Sequence, residues 1–167
     1  MNKLNTDRIN EHSPYDVEYD GELLVFTTAH GLVFAVDFDE DTNPYFPAYW
    51  LNLRNVYHRT SPGDKQVAQT VICIVEEFFR QNNDVLLYIC SSEDGHQAQR
   101  ARLFVRWFNG AEQQKHYVSR SVEVKGEGKT EYVAMIAPRS RTDLEQVLLK
   151  FDEEIAMFNE MKPQEEI

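Results

Sequence analysis

The stretch DKQVAQTVICIVEEFFRQNNDVLLYIC, residues 64–90, decides the fold class. Over 64–81 apolar side chains fall at 67, 71, 74, 75 and 78, with 68, 72 and 79 widening the stripe; the spacing predicts a helix. So wide an apolar face predicts packing on more than one side. Pro62-Gly63-Asp64 supplies its start, with Asp64 as the expected N-cap. After the Asn82-Asn83 break, VLLYIC (85–90) is a short continuous apolar run, the pattern of a strand buried on both faces.

Working outward from this stretch, the period on the N-terminal side is two. YDVEY (15–19) alternates, ELLVFTTA (22–29) and GLVFAVDF (31–38) are apolar and branched, and PAYWLNLRNVY (47–57) carries Trp50, Leu51, Leu53 and Val56. His30-Gly31 reads as a tight hairpin turn and DEDTNP (39–44) as an acidic loop. On the C-terminal side a second helix is predicted over 95–109, with Ala101, Phe104, Trp107 and Phe108 on one side. KHYVSRSVEV (115–124) and TEYVAMIA (130–137) then alternate about the hairpin KGEGK (125–129). A last helix over 142–161 opens on a capping box, Thr142 with Glu145, and carries the stripe Leu144, Val147, Leu148, Phe151, Ile155 and Phe158. Residues 1–13 and 162–167 are polar and expected to be disordered. With no internal repeat and no low-complexity linker, residues 1–167 read as a single α+β domain. Its order is β(3-4)-α-β-α-β-β-α, a mostly antiparallel sheet with helices on its faces.

Composition restricts function. The 167 residues hold 28 acidic and 17 basic side chains, a formal charge of −11. That field disfavours nucleic acid and anionic lipid, which bind through many Lys/Arg–phosphate contacts. MNKLNTDRINEHSP lacks the apolar core of a secretory signal, and no run approaches the ~18 apolar residues of a membrane span. A cytoplasmic location is the expectation. Cys73 and Cys90 each lie inside an apolar run and are expected to be buried, reduced thiols. The histidines at 12, 30, 58, 96 and 116 are scattered singly, so no metal site is expected. No G-x-S-x-G, P-loop or G-x-G-x-x-G occurs. Glu76-Glu77 read as exposed acids, and the aromatic residues of the two predicted helices as core.

Two strand-loop-helix corners remain as candidate sites. In YICSSEDGHQAQRARLFVRWF (88–108), Asp94 and Gln97 resemble a capping box, Ser91 and Ser92 lie just upstream, and Gln99, Arg102 and Arg106 share a polar helix face with Arg100 to one side. The arginines either solvate an outer face or attend an anion held by the first-turn N–H groups. In VYHRTSPGDK (56–65), His58, Arg59, Ser61 and Gly63 are residue types that bind phosphate, and the alternative is a plain turn punctuated by Pro62-Gly63.

At these corners the chain resembles the core of the GCN5-related N-acetyltransferases (GNAT), in element order over most of residues 20–137. In that family the loop before the helix that follows the fourth strand binds the acetyl-CoA pyrophosphate through backbone N–H groups; the matching segment here is Arg59-Thr60-Ser61-Pro62-Gly63-Asp64. ARLFVRWFNG (101–110) resembles the segment of the next helix. The resemblance implies acetyl-CoA as ligand, with Arg59, Ser61, Gly63, Asp64, Lys65, Ser91, Ser92 and Arg100 around it and His58 relaying the amine proton. The chain departs from the family pattern in three ways: one glycine in the loop, Phe104 where a tyrosine commonly protonates the leaving thiolate, and no glutamate in the 47–57 strand. These departures imply an acyltransferase-like domain that acts as a binding or interaction protein, with an acetyl-CoA-dependent N-acyltransferase acting on an amine as the alternative. The run FFRQNNDVLLYICSSEDGHQAQRARLFVRWF is also similar to that of a small bacterial family of unknown function, a likeness over about residues 15–137.

Overall fold

A computed structural model describes residues 1–57, 59, 63–91, 110–126 and 129–160. Its elements are α1 (Thr6–Asn10), β1 (Glu18–Asp20), β2 (Leu23–Thr27), β3 (Val33–Glu40), β4 (Ala48–Asn55), α2 (Lys65–Gln81), β5 (Val85–Ser91), α3 (Ala111–His116), β6 (Tyr117–Gly126), β7 (Lys129–Pro138) and α4 (Leu144–Glu160). The predicted helix over 95–109 lies outside the described residues.

The strands form one seven-stranded sheet in the order β1-β2-β3-β4-β5-β7-β6. Every neighbouring pair is antiparallel except β4–β5, which is parallel because α2 carries the chain back across the sheet between them. The fold is α+β and mostly antiparallel, as the patterning predicts.

Strand alternation sorts the core into two layers. Leu24, Phe26, Phe34, Val36, Leu51, Leu86, Tyr88, Ala134 and Ile136 point to the α2 side and pack on Val67, Val71, Ile74, Val75 and Phe78. Ala48, Val85, Leu87, Met135 and Ala137 point to the α4 side and pack on Val147 and Phe151. Val85, Leu86, Leu87 and Tyr88 are therefore all buried, which explains the apolar run over those four, whereas Ile89 beyond them is 50% exposed. The wide face of α2 also has its cause, since α1 packs on it in addition to the sheet.

Residues 1–13 correct the expectation of disorder at this end. Asn5 caps α1, Leu4 and Ile9 are buried in the α2-side core, and Asn10 exchanges hydrogen bonds with the Val17 backbone at 2.8 and 2.9 Å. Polar composition hid two apolar anchors. At the turn after β2, Gly31 has φ 78°, and the Thr28 amide donates to the Leu32 carbonyl at 2.8 Å, so the hairpin at His30-Gly31 forms as read. The short α3 takes Lys115 and His116 from the predicted strand, which begins at Tyr117 instead. At the last helix Asp143, not Thr142, directly precedes the first residue; the Val147 amide donates to its carbonyl, and Arg141 holds its carboxylate by two hydrogen bonds of 2.9 Å.

Candidate functional site

Parallel neighbours end at the same edge of a sheet. The C-terminal ends of β4 and β5 therefore lie at one edge of the sheet, the edge where ligands bind in open α/β sheets. The pairing of β4 with β5 covers only Ala48↔Val85 through Leu51↔Tyr88. Beyond that point β4 continues to Asn55 against β3, and β5 continues to Ser91 against β7. The two central strands part.

Backbone polarity along this opening follows from the ladder. The Val56 amide donates to Val33 of β3, the Ala48 carbonyl accepts from Asp41, and the Val85 amide donates to Pro47. Even-numbered residues of β4 thus address β3 and odd-numbered ones address β5. Leu53 and Asn55 turn their N–H and C=O groups into the opening from one wall, and the Ile89 carbonyl and the Ser91 backbone face it from the other. Among the described residues no strand pairs with these two walls, and an edge of that kind inside a sheet can take up an extended ligand.

On the α4 side the opening widens into a groove of about 430 Å³ lined by Asp37, Asp39, Trp50, Asn52, Arg54 and Ile89, among others. Its wall is a ladder of diagonal pairs between β3 and β4: Arg54 beside Asp37 at 3.9 Å and Asn52 donating to Asp39 at 2.7 Å, while just past the strand end Trp50 Nε1 donates to Asp41 at 2.9 Å. Burial pushes the Asp41 carboxyl up, but hydrogen bonds from Asn43, Trp50 and the Asn43 and Thr42 amides outweigh it and hold the group below its ordinary range. Asp37 Oδ1 and Asn55 Oδ1 are shielded from solvent and take no hydrogen bond among the described residues.

The start of α2 is already occupied by protein. Asp64 caps it, accepting from the Gln66 amide at 2.9 Å, and its second carboxylate oxygen accepts the Tyr15 hydroxyl at 2.5 Å. Gly63 and Lys65 are exposed on either side of Asp64. Arg59 is exposed, its carbonyl accepts from Asn55 Nδ2 at 2.7 Å, and its guanidinium stands 5.6 Å from the centre of the Tyr57 ring. Ser91 ends β5 opposite Glu131, on the register that faces the opening. His58, Ser61, Ser92, Arg100 and Phe104 lie outside the described residues.

Sequence reasoning missed Asp37 and Asp39, although β3 reads apolar at 34, 36 and 38 and acidic at 37 and 39, which puts the acids on the opposite face. It also misjudged Glu76-Glu77. Glu77 is fully buried on α2, accepting from Arg80 Nε at 3.1 Å and Gln81 Nε2 at 2.8 Å. Glu76 is half-buried, and burial raises its pKa against the opposing pull of Arg80 and His12. Cys73 is half-buried against the core, and burial raises its thiol pKa, so it is a poor nucleophile. The Cys90 side chain lies outside the described residues. Among the described residues no cluster of His, Cys, Asp or Glu has a metal-holding arrangement, and no helix is long and apolar enough to cross a membrane.

The family model for a family of unknown function, DUF6169, matches residues 63–153, more than half of the chain. The chain belongs to the DUF6169 family. The DUF6169 match begins at the cap of α2 and ends in α4, so it takes in the β5 wall of the opening and leaves the β4 wall upstream of it. No curated protein and no solved structure matches the chain.

Proposed function

We propose that this DUF6169 member is a CoA-thioester-binding domain of acetyltransferase-like architecture, used for binding or interaction more than for rapid acyl transfer. The parting of β4 and β5 beside the start of α2 carries this reading. An extended arm with amides, such as pantetheine, meets the backbone of Leu53 and Asn55 as an added strand would. Arg59 and Lys65 supply positive charge near the α2 end for phosphates. The same end limits how tightly phosphates sit, because the Asp64 carboxylate already holds the Gln66 amide and Pro62 has no N–H to offer.

The second reading is transfer of the acyl group to an amine, favoured by Asp37 and Asp39 in the adjoining groove, which suit a cationic acceptor. In that reaction the amine nitrogen bonds to the thioester carbonyl carbon and the C–S bond breaks. The ammonium proton leaves through His58 or water, and the thiolate picks up a proton from solvent, because Phe104 cannot donate one.

Thermal unfolding with acetyl-CoA, together with a free-thiol assay, tests the proposal. Millimolar acetyl-CoA raises the melting temperature by mass action, and Arg59→Ala weakens the rise. Asp64→Asn keeps the cap, removes the charge and enlarges the rise. Thiol stays at background. No thermal response overturns the binding reading; thiol release that depends on an added amine replaces it with the transferase reading.

A further inference from the structure

At the end of the sheet opposite the β4–β5 opening, the last turn of α2, the α3–β6 junction and the turn after β7 enclose a second groove of about 290 Å³. Its polar lining is Asn83, Lys115, His116, Arg139 and Ser140, with Tyr117 among its walls and no carboxylate among the described lining residues. In a chain with 28 acidic residues and a charge of −11, a groove lined by Lys, His and Arg departs from the average surface. We infer that this groove binds a small phosphate monoester.

Arg139 is held in place before any ligand arrives. Arg139 donates through Nε to the Gln114 carbonyl, and its backbone amide donates to the His116 carbonyl at 2.9 Å. The Nε bond fixes the guanidinium, and both bonds satisfy carbonyls at the α3 end that would otherwise repel an anion. The two Nη groups have no partner among the described residues. Ser140 Oγ meets Asn83 Oδ1 at 3.3 Å, a long hydrogen bond that is readily exchanged. A guanidinium fork, an ammonium, an imidazole and a hydroxyl arranged around one space match a tetrahedral dianion better than a planar carboxylate. Phe79 and Tyr117, with ring centres 4.8 Å apart, give the organic part of the ester an apolar wall. Burial raises the pKa of the Tyr117 hydroxyl, Glu76 on α2 adds to the rise, and Arg80 opposes it. The volume lies at the lower end of small-molecule sites, about 300 Å³, so the ester is small.

Proton–nitrogen NMR of the full chain, following the His116 ring and Arg139 Nε, tests the site with three probes: inorganic phosphate, phenyl phosphate and acetate. Phosphate produces saturable shifts, phenyl phosphate saturates at several-fold lower concentration, and acetate needs at least tenfold more. Lys115→Gln weakens phosphate binding several-fold in a chain that still unfolds cooperatively, and Arg139→Gln abolishes it. Because Arg139 also holds α3, Lys115→Gln is the deciding variant. Non-saturating shifts, equal responses to phosphate and acetate, or an unchanged phosphate response in Lys115→Gln overturns the inference. The acetyl-CoA response of the other site is read separately and is not changed by Lys115→Gln.

Discussion

Glu76 and Glu77 are chain neighbours with opposite energetics. Glu77 is sealed from solvent, but two side chains one turn further along α2, the exposed Arg80 and the half-buried Gln81, satisfy its oxygens. We expect Glu77→Ala to cost about 2 kcal/mol in denaturant unfolding, the scale for hydrogen bonds to a charged group, because Arg80 keeps its access to water when its partner goes. Glu76 has no such hydrogen bonds among the described residues, and burial disfavours its charged form more than Arg80 and His12 favour it. A carboxyl whose folded pKa is raised contributes stability below its unfolded pKa, about 4.3, and that contribution is lost as pH rises through the folded value. Glu76→Gln should therefore raise the melting temperature at pH 7 and leave it nearly unchanged at pH 4; a fall at pH 7 would refute this account. Asp143 has the opposite sign. Its hydrogen bonds from Arg141 hold its pKa down, so its contribution is present above the unfolded value, about 3.9, and is lost as pH falls through the folded one. Arg141→Ala should cost about 2 kcal/mol near neutrality, the value of hydrogen bonds to a charged group, and markedly less in acid.

Among elements, α2 is the hub. Phe78 is fully buried, stacks on Phe38 at 5.2 Å and meets Tyr49 and Phe79 edge-on at 6.1 and 5.1 Å. Phe78→Ala should cost about 3–5 kcal/mol, the range for emptying an aromatic core site. The periodicity of α2, the double burial of β5 and the Asp64 cap were all legible because each is a local pattern with a local cause. α1 and α3 were not legible, since five and six residues carry too little periodicity and are held by contacts made elsewhere in the chain. The β2–β3 turn was legible for a different reason: at φ 78° Gly31 has free space for a Cβ, yet an L side chain resists that backbone. Gly31→Ala should cost about 1–2 kcal/mol through backbone strain alone, and a neutral result would show that the turn relaxes.

Across the whole molecule, two core layers share one sheet. β5 and β7 send alternate side chains into each layer, so loosening one loosens the strands that floor the other. Phe78→Ala on one side and Phe151→Ala on the other should both shift a single unfolding transition, and two separated transitions would show that the layers are independent. The candidate site also belongs to this scale. The amino-acid sequence by itself determined the element types, the face that each strand buries, the acidic field and the residue types at the two corners, because periodicity and side-chain chemistry are written residue by residue. Only the tertiary structure decided that β4 and β5 lie side by side, that they part after Leu51 and Tyr88, and that Asp37, Trp50 and Ile89 meet in one groove. Strand pairing depends on long-range registry among segments far apart in the chain, and no local pattern encodes where two neighbouring strands stop touching.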